Sequence, residues 1–315
     1  MSKVRVCFLG TPEFAVTSLK ALLEDEHFEV VGVVTQPDRP AGRKLQLTPS
    51  PVKVLAQSHG LKVLTPESLK NDPAANAEIK SWAAEVGVVV AFGQILTQEF
   101  LDSFRFGCVN VHGSLLPLWR GAAPIQRSIE AGDTETGVAL QKVVKKLDAG
   151  DIIGVSKIKV PDDMDALQLH DELALLGADL LRVELMDYVR GNLGPIPQDE
   201  SKVTIAKKID KSESLLDWTK SAKSLNGKIR GFSYGPGTYT ILGGKKLKVH
   251  KAQVIPGSVS AAPGKVTAVN DDSIVVATGE GSLKLLEVQP ESRTRMKVNE
   301  FLKGNPLKVG DQIGV

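Results

Sequence analysis

The first half of the chain alternates short runs of β-branched residues with amphipathic stretches. This alternation is typical of βαβ units, in which parallel strands are joined by helices that pack on both faces of the sheet. Helices are predicted from about residue 11 to 23 and from about 165 to 188. Strands are predicted at residues 4–9, 30–35, 86–91, 108–112, 138–144 and 152–160. The predicted fold class is therefore α/β, with an N-terminal doubly wound parallel sheet of the Rossmann-like type.

The second half of the chain consists of a linker-like segment followed by short strand-like runs. Residues 191–208 combine Gly, Pro and charged residues without sustained periodicity, as linkers do. After a short helix predicted at 215–229, turns rich in Gly, Asn and Asp separate about five strands. These strands are predicted at residues 238–242, 246–254, 264–269, 273–277 and 282–288. We therefore expect one domain at 1–190, a linker at 191–208 and a small OB-like β-barrel domain at 209–315.

Charge is distributed unevenly along the chain. Its 315 residues include 39 Lys and Arg and 37 Asp and Glu, but 18 of the basic and only 10 of the acidic residues lie from Lys207 onward. The C-terminal part therefore carries a formal charge of +8, against −6 for the part before it. Clusters of Lys and Arg bind polyanions because binding releases counterions from the phosphates. On charge alone, the pattern allows either a polyanionic partner or a merely soluble basic domain.

Several common classes of protein are disfavoured by what the sequence lacks. The longest nearly uncharged apolar stretch, residues 86–96, is far shorter than the roughly 20 residues of a transmembrane helix, and the start resembles no secretory signal. Cys7 and Cys108 lie in separate predicted strands without further thiols at metal-ligand spacing, so both are predicted to be reduced core residues of a cytoplasmic protein. Glycine-rich nucleotide loops, zinc helices and serine elbows are also absent. We expect a reaction without ATP, metal or covalent serine.

Polar residues emerge where the predicted strand 108–112 ends, which is where open α/β sheets bind their ligands. Asn110 and His112 are two residues apart, so in a strand they share one face. An amide donor beside an imidazole suits acyl transfer, because a tetrahedral oxyanion must be stabilised and a proton must be moved. The alternative is an Asn that caps the turn and a His that is satisfied within the core.

A third polar candidate, Asp148, lies in a loop between two predicted strands. If it faces the same pocket, its carboxylate would favour the imidazolium form of His112 and fix the orientation of the ring. The alternative is an ordinary turn aspartate.

Four motifs together resemble the methionyl-tRNA formyltransferase branch of the folate-dependent formyltransferase superfamily. The Asn-x-His-x-Ser-Leu-Leu-Pro pattern marks the superfamily as a whole, whereas the loop at 36–43 and the basic C-terminal part favour the tRNA branch. The resemblance covers essentially the whole chain. The motifs are Phe-Leu-Gly-Thr-Pro-Glu-Phe-Ala at 8–15, Gln-Pro-Asp-Arg-Pro-Ala-Gly-Arg at 36–43, Asn-Val-His-Gly-Ser-Leu-Leu-Pro at 110–117 with Arg-Gly-Ala-Ala-Pro at 120–124, and Asp-Ala-Gly-Asp at 148–151.

The resemblance implies transfer of the formyl group of 10-formyltetrahydrofolate to methionyl-initiator tRNA in bacterial or organellar translation initiation, without a metal. It implies that Asn110, His112 and Asp148 are the catalytic residues. Asn110 would bind the developing oxyanion, and His112 would assist proton transfer. Asp148 would either orient and charge His112 or hold a water that relays the amine proton. The folate site is implied at Ser114, Leu115, Leu116 and Pro117, with Phe92, Ile95 and Leu96 walling the pterin pocket.

Two basic elements are implied to contact the tRNA. The loop at 36–51 contains four prolines, which disfavour regular structure, and it carries Arg39, Arg43 and Lys44. For this loop the alternative is a solvated surface. In the strand predicted at 246–254, basic and apolar residues alternate, so Lys246 and Lys248 are predicted to face solvent or phosphate. We expect salt-sensitive contacts with the tRNA backbone from a monomeric protein.

Three other functions share parts of this pattern. A formyltransferase acting on a glycinamide ribonucleotide or an amino sugar nucleotide would use the same chemistry, but it would not need the basic C-terminal part. An RNA-binding protein with an inactive formyltransferase-like domain would not need Asn110, His112 and Asp148. A hydrolase that releases formate from the folate would need these three residues and no RNA-binding domain.

Overall fold

The computed structural model describes residues 3–41 and 45–314, which form two compact units. Unit 1 comprises the described residues up to Gly121 together with Thr136–Ile158 and His170–Ile205. Unit 2 comprises Ala122–Glu135, Lys159–Leu169 and the described residues from Ala206 onward. The segment predicted as a linker at 191–208 is therefore divided between the units at residue 206.

Seven strands of the described residues form the sheet of unit 1, in the order β10-β9-β7-β6-β1-β2-β5. The ladders β5-β2-β1-β6-β7 are parallel, whereas β9 is antiparallel to β7. The predicted Rossmann-like class is confirmed, as a mixed sheet. The strands are β1 (Val4–Gly10), β2 (Phe28–Val34), β3 (Arg39–Ala41), β4 (Gln46–Thr48), β5 (Val63–Leu64), β6 (Val86–Val90), β7 (Cys108–His112), β8 (Arg120–Gly121), β9 (Glu135–Lys142) and β10 (Ile152–Lys159).

Two of the helices begin just after a short polar residue whose side chain caps the first turn. Ser50 accepts from the Lys53 N–H and Asp72 from the Ala75 N–H, and each is followed by a proline at the first helical position. The helices are α1 (Glu13–Glu24), α2 (Pro51–Ser58), α3 (Pro73–Ser81), α4 (Gln98–Leu101), α5 (Pro124–Ala131), α6 (Ala166–Arg190), α7 (Ala222–Gly231) and α8 (Val298–Gly304). No helix within the described ranges is both long and apolar enough to cross a membrane.

The core of unit 1 explains the glycine in β6. Gly87 lies between Cys7 of β1 and Cys108 of β7, and a Cβ on it would meet the Cys108 Sγ at 2.5 Å. Both cysteines are free and buried, as predicted. Burial raises the pKa of the Cys7 and Cys108 thiols well above the usual range, so both stay protonated.

Unit 2 is built on an antiparallel sheet in the order β12-β13-β16-β15-β14, with β17 added beside β16. Residues after α8 link the two outer strands: the Gly314 N–H donates to the Ile241 carbonyl at 2.8 Å, and the Val266 N–H donates to the Asp311 carbonyl at 2.9 Å. This closure supports the expected small β-barrel. The strands from the end of unit 1 onward are β11 (Ile205–Ala206), β12 (Thr238–Leu242), β13 (Lys245–Ile255), β14 (Val266–Asn270), β15 (Ser273–Ala277), β16 (Ser282–Pro290) and β17 (Met296–Lys297).

Two local predictions were wrong. The proline-containing loop at 36–51 was expected to lack regular structure, but β3 and β4 form a short antiparallel hairpin in which Pro40 pairs with Leu47. An edge strand tolerates proline because it need not donate on its outer side. The helix predicted from residue 215 begins only at Ala222, because Asp217 closes a turn by accepting from Thr219, and Ser221 then caps the helix.

Candidate active site

The polar residues of β7 lie beside the strands that the register places next to it. Asn110 is opposite Val89 of β6 on one side and Gln141 of β9 on the other. Its side chain is half-buried, and within the described residues its amide has no hydrogen-bond partner. A half-buried amide that has no partner in the protein is free to bind the oxygen of a ligand.

His112 is held at the end of β7 and is only 6% exposed. Its Nε2 lies 3.0 Å from the Trp119 carbonyl oxygen, which can only accept, so Nε2 carries a proton. Its Nδ1 lies 3.8 Å from Asp148 Oδ1. That distance is longer than a direct hydrogen bond, but one water could bridge it.

Asp148 is oriented by two uncharged donors. Its Oδ2 accepts from the Gly121 N–H at 2.9 Å, and its Oδ1 accepts from the Gln141 amide at 3.2 Å. Its backbone has φ of +46°, a left-handed conformation that non-glycine residues rarely adopt. The structure thus brings Asp148 and His112 together across about 36 residues of sequence.

The loop predicted to line the folate site follows directly from β7. Ser114 is fully buried, and its hydroxyl donates to the Leu118 carbonyl at 2.6 Å. Leu116 is buried as well, whereas Leu115 and Pro117 are half-buried. Leu115 and Pro117 are therefore the members of this group with side-chain surface left for a ligand.

The residues predicted to wall the pterin pocket differ in exposure. Phe92 packs in the core of unit 1, Leu96 is half-buried, and Ile95 is 73% exposed. The Gln36 amide donates to the Phe92 carbonyl at 3.1 Å, and Gln94 accepts from the Leu69 N–H at 2.7 Å. These bonds fix the loop backbone and leave Ile95 as its projecting apolar side chain.

The predicted tRNA contacts fall into two groups. Arg39 is exposed and forms an ion pair with Glu67 at 2.9 Å, whereas Arg43 and Lys44 lie outside the described residues. On β13 of unit 2, Lys246 and Lys248 are exposed and alternate with buried Leu247 and Val249, as the periodicity predicted. The Lys246 ammonium also lies 4.7 Å from the centre of the Tyr239 ring.

Three residues at the site were not singled out from the sequence: Arg120, Gln141 and Gln198. The Arg120 guanidinium, 2% exposed, donates to Gln198 and to Glu200 at 2.8 Å each. Gln198 in turn donates to the Asp148 and Gly150 carbonyls at 2.9 and 2.6 Å. Arg120 was visible within a motif, but no local pattern marks Gln198. Among the residues described, no group of three or more His, Cys, Asp or Glu side chains could hold a metal ion.

Comparison with known proteins identifies the family. Residues 3–183 match the model of the formyl transferase family, and residues 208–306 match that of the formyl transferase C-terminal domain. The chain belongs to the formyl transferase family. This confirms the resemblance drawn from the four sequence motifs.

Relatives of this formyl transferase match it from end to end. It is 76% identical over 318 residues to a methionyl-tRNA formyltransferase of Bdellovibrio bacteriovorus, with 100% of both chains covered. It is 47% identical over 312 residues to the methionyl-tRNA formyltransferase of Myxococcus xanthus, with 99% of this chain and 98% of that one covered. An N-formyltransferase from Helicobacter canadensis, solved with folinic acid and dTDP-3-aminofucose, has a TM-score of 0.65 at 17% identity over 90% of this chain and 98% of its own. That last likeness shows the fold alone.

Proposed function

We propose that this chain transfers the formyl group of 10-formyltetrahydrofolate to the amino group of methionyl-initiator tRNA. The observation that carries this proposal is the 76% identity, over both whole chains, to a methionyl-tRNA formyltransferase. The geometry at the end of β7 supports this chemistry, since an amide without a partner among the described residues, an imidazole and a carboxylate lie there. A bacterial translation enzyme of this kind acts in the cytoplasm.

The reaction forms one C–N bond and breaks another. The methionyl nitrogen attacks the formyl carbon, the formyl oxygen gains negative charge, and the bond from that carbon to the folate nitrogen then breaks. The attacking amine loses one proton, and the folate nitrogen gains one. Asn110 donates its amide N–H to the oxygen while the charge develops, and such a donor contributes about 3–4 kcal/mol to the transition state.

His112 and Asp148 handle the proton. His112 donates its Nε2 proton in a hydrogen bond to the Trp119 carbonyl, so its Nδ1 faces Asp148. The 3.8 Å gap between Nδ1 and Oδ1 supports a relay through one water more than a direct bond. Asp148 would accept the amine proton through that water, while His112 holds the water in place.

The folate donor is proposed to lie along the loops at 92–96 and 114–117. Ile95 offers exposed apolar surface to an aromatic ring, and Leu115 and Pro117 offer partly exposed surface beside Asn110. Ser114 would contribute through its backbone, because its hydroxyl already donates to Leu118. Leu116 and Phe92 support the loops from within the core.

Unit 2 is proposed to hold the tRNA. The part of the chain from Lys207 onward carries a formal charge of +8, and Lys246 and Lys248 stand exposed on β13. Exposed ammonium groups suit the phosphate backbone, which needs charge but no fixed geometry. On the loop that precedes α2, Arg39, Arg43 and Lys44 are proposed to contact the acceptor end.

The test is transfer of labelled formyl from 10-formyltetrahydrofolate to methionyl-initiator tRNA, run with the full chain. Glycinamide ribonucleotide, an amino sugar nucleotide and water serve as the competing acceptors. We expect transfer to the tRNA and none above background to the others, and we expect Asn110→Ala to abolish most of it. Folate turnover without tRNA formylation would contradict the proposal and favour a small amine or water as acceptor.

A further inference from the structure

Part of the segment that the sequence predicts to be a linker bonds to both loops of the candidate active site. We call residues 198–204 the strap. At one end of the strap, Thr204 Oγ1 accepts from the Trp119 N–H at 2.8 Å. Trp119 is the residue whose carbonyl binds His112 Nε2. The strap therefore holds the backbone that fixes the imidazole.

At the other end of the strap, Gln198 uses both ends of its carboxamide. Its Oε1 accepts from Arg120 Nε at 3.0 Å and from Arg120 Nη2 at 2.8 Å. Its Nε2 donates to the carbonyls of Asp148 and Gly150, at 2.9 and 2.6 Å. A single side chain thus joins the loop after β7 to the loop that carries Asp148.

The Asp148 loop needs such a support. Asp148 has φ of +46°. A left-handed backbone costs a non-glycine residue about 1–2 kcal/mol, so it persists only where surrounding contacts offset that cost. Gly150 is packed so tightly that a Cβ on it would lie 1.8 Å from the Lys142 carbonyl oxygen. Gln198 caps the carbonyls on either side of this constrained stretch, which fixes where the Asp148 carboxylate points.

We propose that Gln198 is a positioning residue for formyl transfer: by bridging Arg120 to the carbonyls of Asp148 and Gly150, it sets the Asp148 carboxylate against His112. The inference rests on the proposed function, because it assigns Gln198 to the same reaction. Gln198 does not act on the substrate itself. A displacement of about 1 Å in a reacting geometry costs on the order of a hundredfold in rate, so loss of the bridge is expected to matter.

Two substitutions separate the halves of the bridge. Gln198→Ala removes all of its bonds, and it leaves the buried Arg120 guanidinium with one partner fewer, so it also tests stability. Gln198→Glu keeps the length of the side chain and its acceptors for Arg120, but it replaces the donor to Asp148 and Gly150 with an oxygen that repels both carbonyls. Ser201→Ala is the matched control, because its hydroxyl donates only within the strap, to Asp199.

We expect Gln198→Glu to remain folded at the assay temperature and to lower kcat on the order of tenfold to a hundredfold, with KM for the tRNA nearly unchanged. Gln198→Ala should lower kcat at least as much, and Ser201→Ala should not change it. If Gln198→Glu melts normally and keeps the wild-type kcat, the proposal is wrong.

A double-mutant cycle distinguishes positioning from a general effect on stability. Gln198→Glu is combined with Asp148→Asn, and transfer is followed in single turnovers so that slow rates remain measurable. If Gln198 acts through Asp148, the double variant is as slow as Asp148→Asn alone. A further loss of tenfold or more in the double variant would overturn the inference. An inactive wild-type chain would instead overturn the proposed function, so the two failures are distinguishable.

Discussion

The end of β7 in unit 1 and the face of β13 in unit 2 present polar residues in opposite ways. His112, Asp148 and Arg120 are buried or nearly so, and each has named partners at fixed distances. Lys246 and Lys248 project into solvent from a strand whose alternate residues are buried. Donors that stabilise a transition state must be fixed in position before the charge develops. A polyanion can instead be bound by mobile, exposed lysine side chains.

This contrast predicts that substitutions in the two regions change different kinetic parameters, kcat in one and KM for the tRNA in the other. Substitutions at the end of β7 are expected to lower kcat, because they act on groups that we propose to matter only during bond making. Substitutions on β13 are expected to raise KM for the tRNA and to change its salt dependence. A variant of either group that changed the other parameter would break the comparison.

The largest effect is expected from Asn110→Ala. Loss of one oxyanion donor lowers kcat about a hundredfold to a thousandfold, and KM for the tRNA should stay within about threefold. Steady-state formylation of methionyl-initiator tRNA measures both. Asn192→Ala, which removes an exposed amide bonded to Asp187, is the control and should leave kcat unchanged. A rise in KM with an unaltered kcat would remove Asn110 from the chemistry.

The next largest effect is expected from a core substitution in unit 2, which should lower stability without changing kcat. Ile313 is fully buried in the core of unit 2, so Ile313→Ala should lower the free energy of unfolding of that unit by about 2–4 kcal/mol. Urea denaturation measures this loss, and kcat at low temperature should not change. Ile255→Ala, at a more exposed site on β13, should cost much less. Equal losses in the two variants would contradict the proposed closure of the barrel by residues 310–314.

A smaller effect is expected from reversing charge on β13. The double substitution Lys246→Glu and Lys248→Glu should weaken tRNA binding about tenfold or more at low salt and reduce the slope of log K against log salt by about two. kcat at saturating tRNA should remain that of the wild type. Reversing the exposed Lys20 and Lys70 of unit 1 changes the net charge equally and serves as the control. If the β13 variant and the unit 1 control variant weaken tRNA binding equally, only net charge matters and β13 is not a contact surface.

The smallest effect concerns acid stability near the site. Hydrogen bonds from Arg120 and then Lys146 lower the pKa of Glu200 to about 2. A lowered pKa contributes stability that is present above pH 4.5, the ordinary value, and is lost as the pH falls towards 2. Glu200→Gln should therefore flatten the pH dependence of unfolding between those values, measured by urea titrations. The effect should be slight because the Glu200 carboxylate is exposed.

Much of the fold follows from local sequence patterns. The strand predicted at 108–112 coincides with β7, because a short apolar run bounded by turn residues has few alternatives. The antiparallel direction of β9 could not be predicted, since it depends on how a connection returns to the sheet and not on residues within the strand. The closing segment at 310–314 was also missed, because it contains two glycines and has no periodicity.

Residues of the candidate site that lie close together in the sequence were easier to predict than those that contact distant positions. The two-residue repeat of a strand puts Asn110 and His112 on one face, Asp148 was singled out as a polar residue of a loop, and the family resemblance implied the roles of all three. Gln198 bonds to backbone carbonyls 48 and 50 residues away, and such contacts leave no trace in sequence composition. The Gly and Pro residues that predicted a linker lie just before the strap, at 191–197, and the strap itself contains a short 3-10 helix at Glu200–Lys202.

The bonds that close the barrel of unit 2 connect very distant positions. Ile241 pairs with Gly314, and Gly264 pairs with Ile313, so closure must wait until long stretches of chain have been ordered. Pairings of this kind slow folding, because the entropy of closing a long loop is lost before the contact forms. We therefore expect unit 2 to refold through an open sheet, in which residues 313 and 314 form their bonds to Gly264 and Ile241 only in the final phase. Stopped-flow Trp218 fluorescence would time that phase, since the Trp218 indole contacts the position of Gly314.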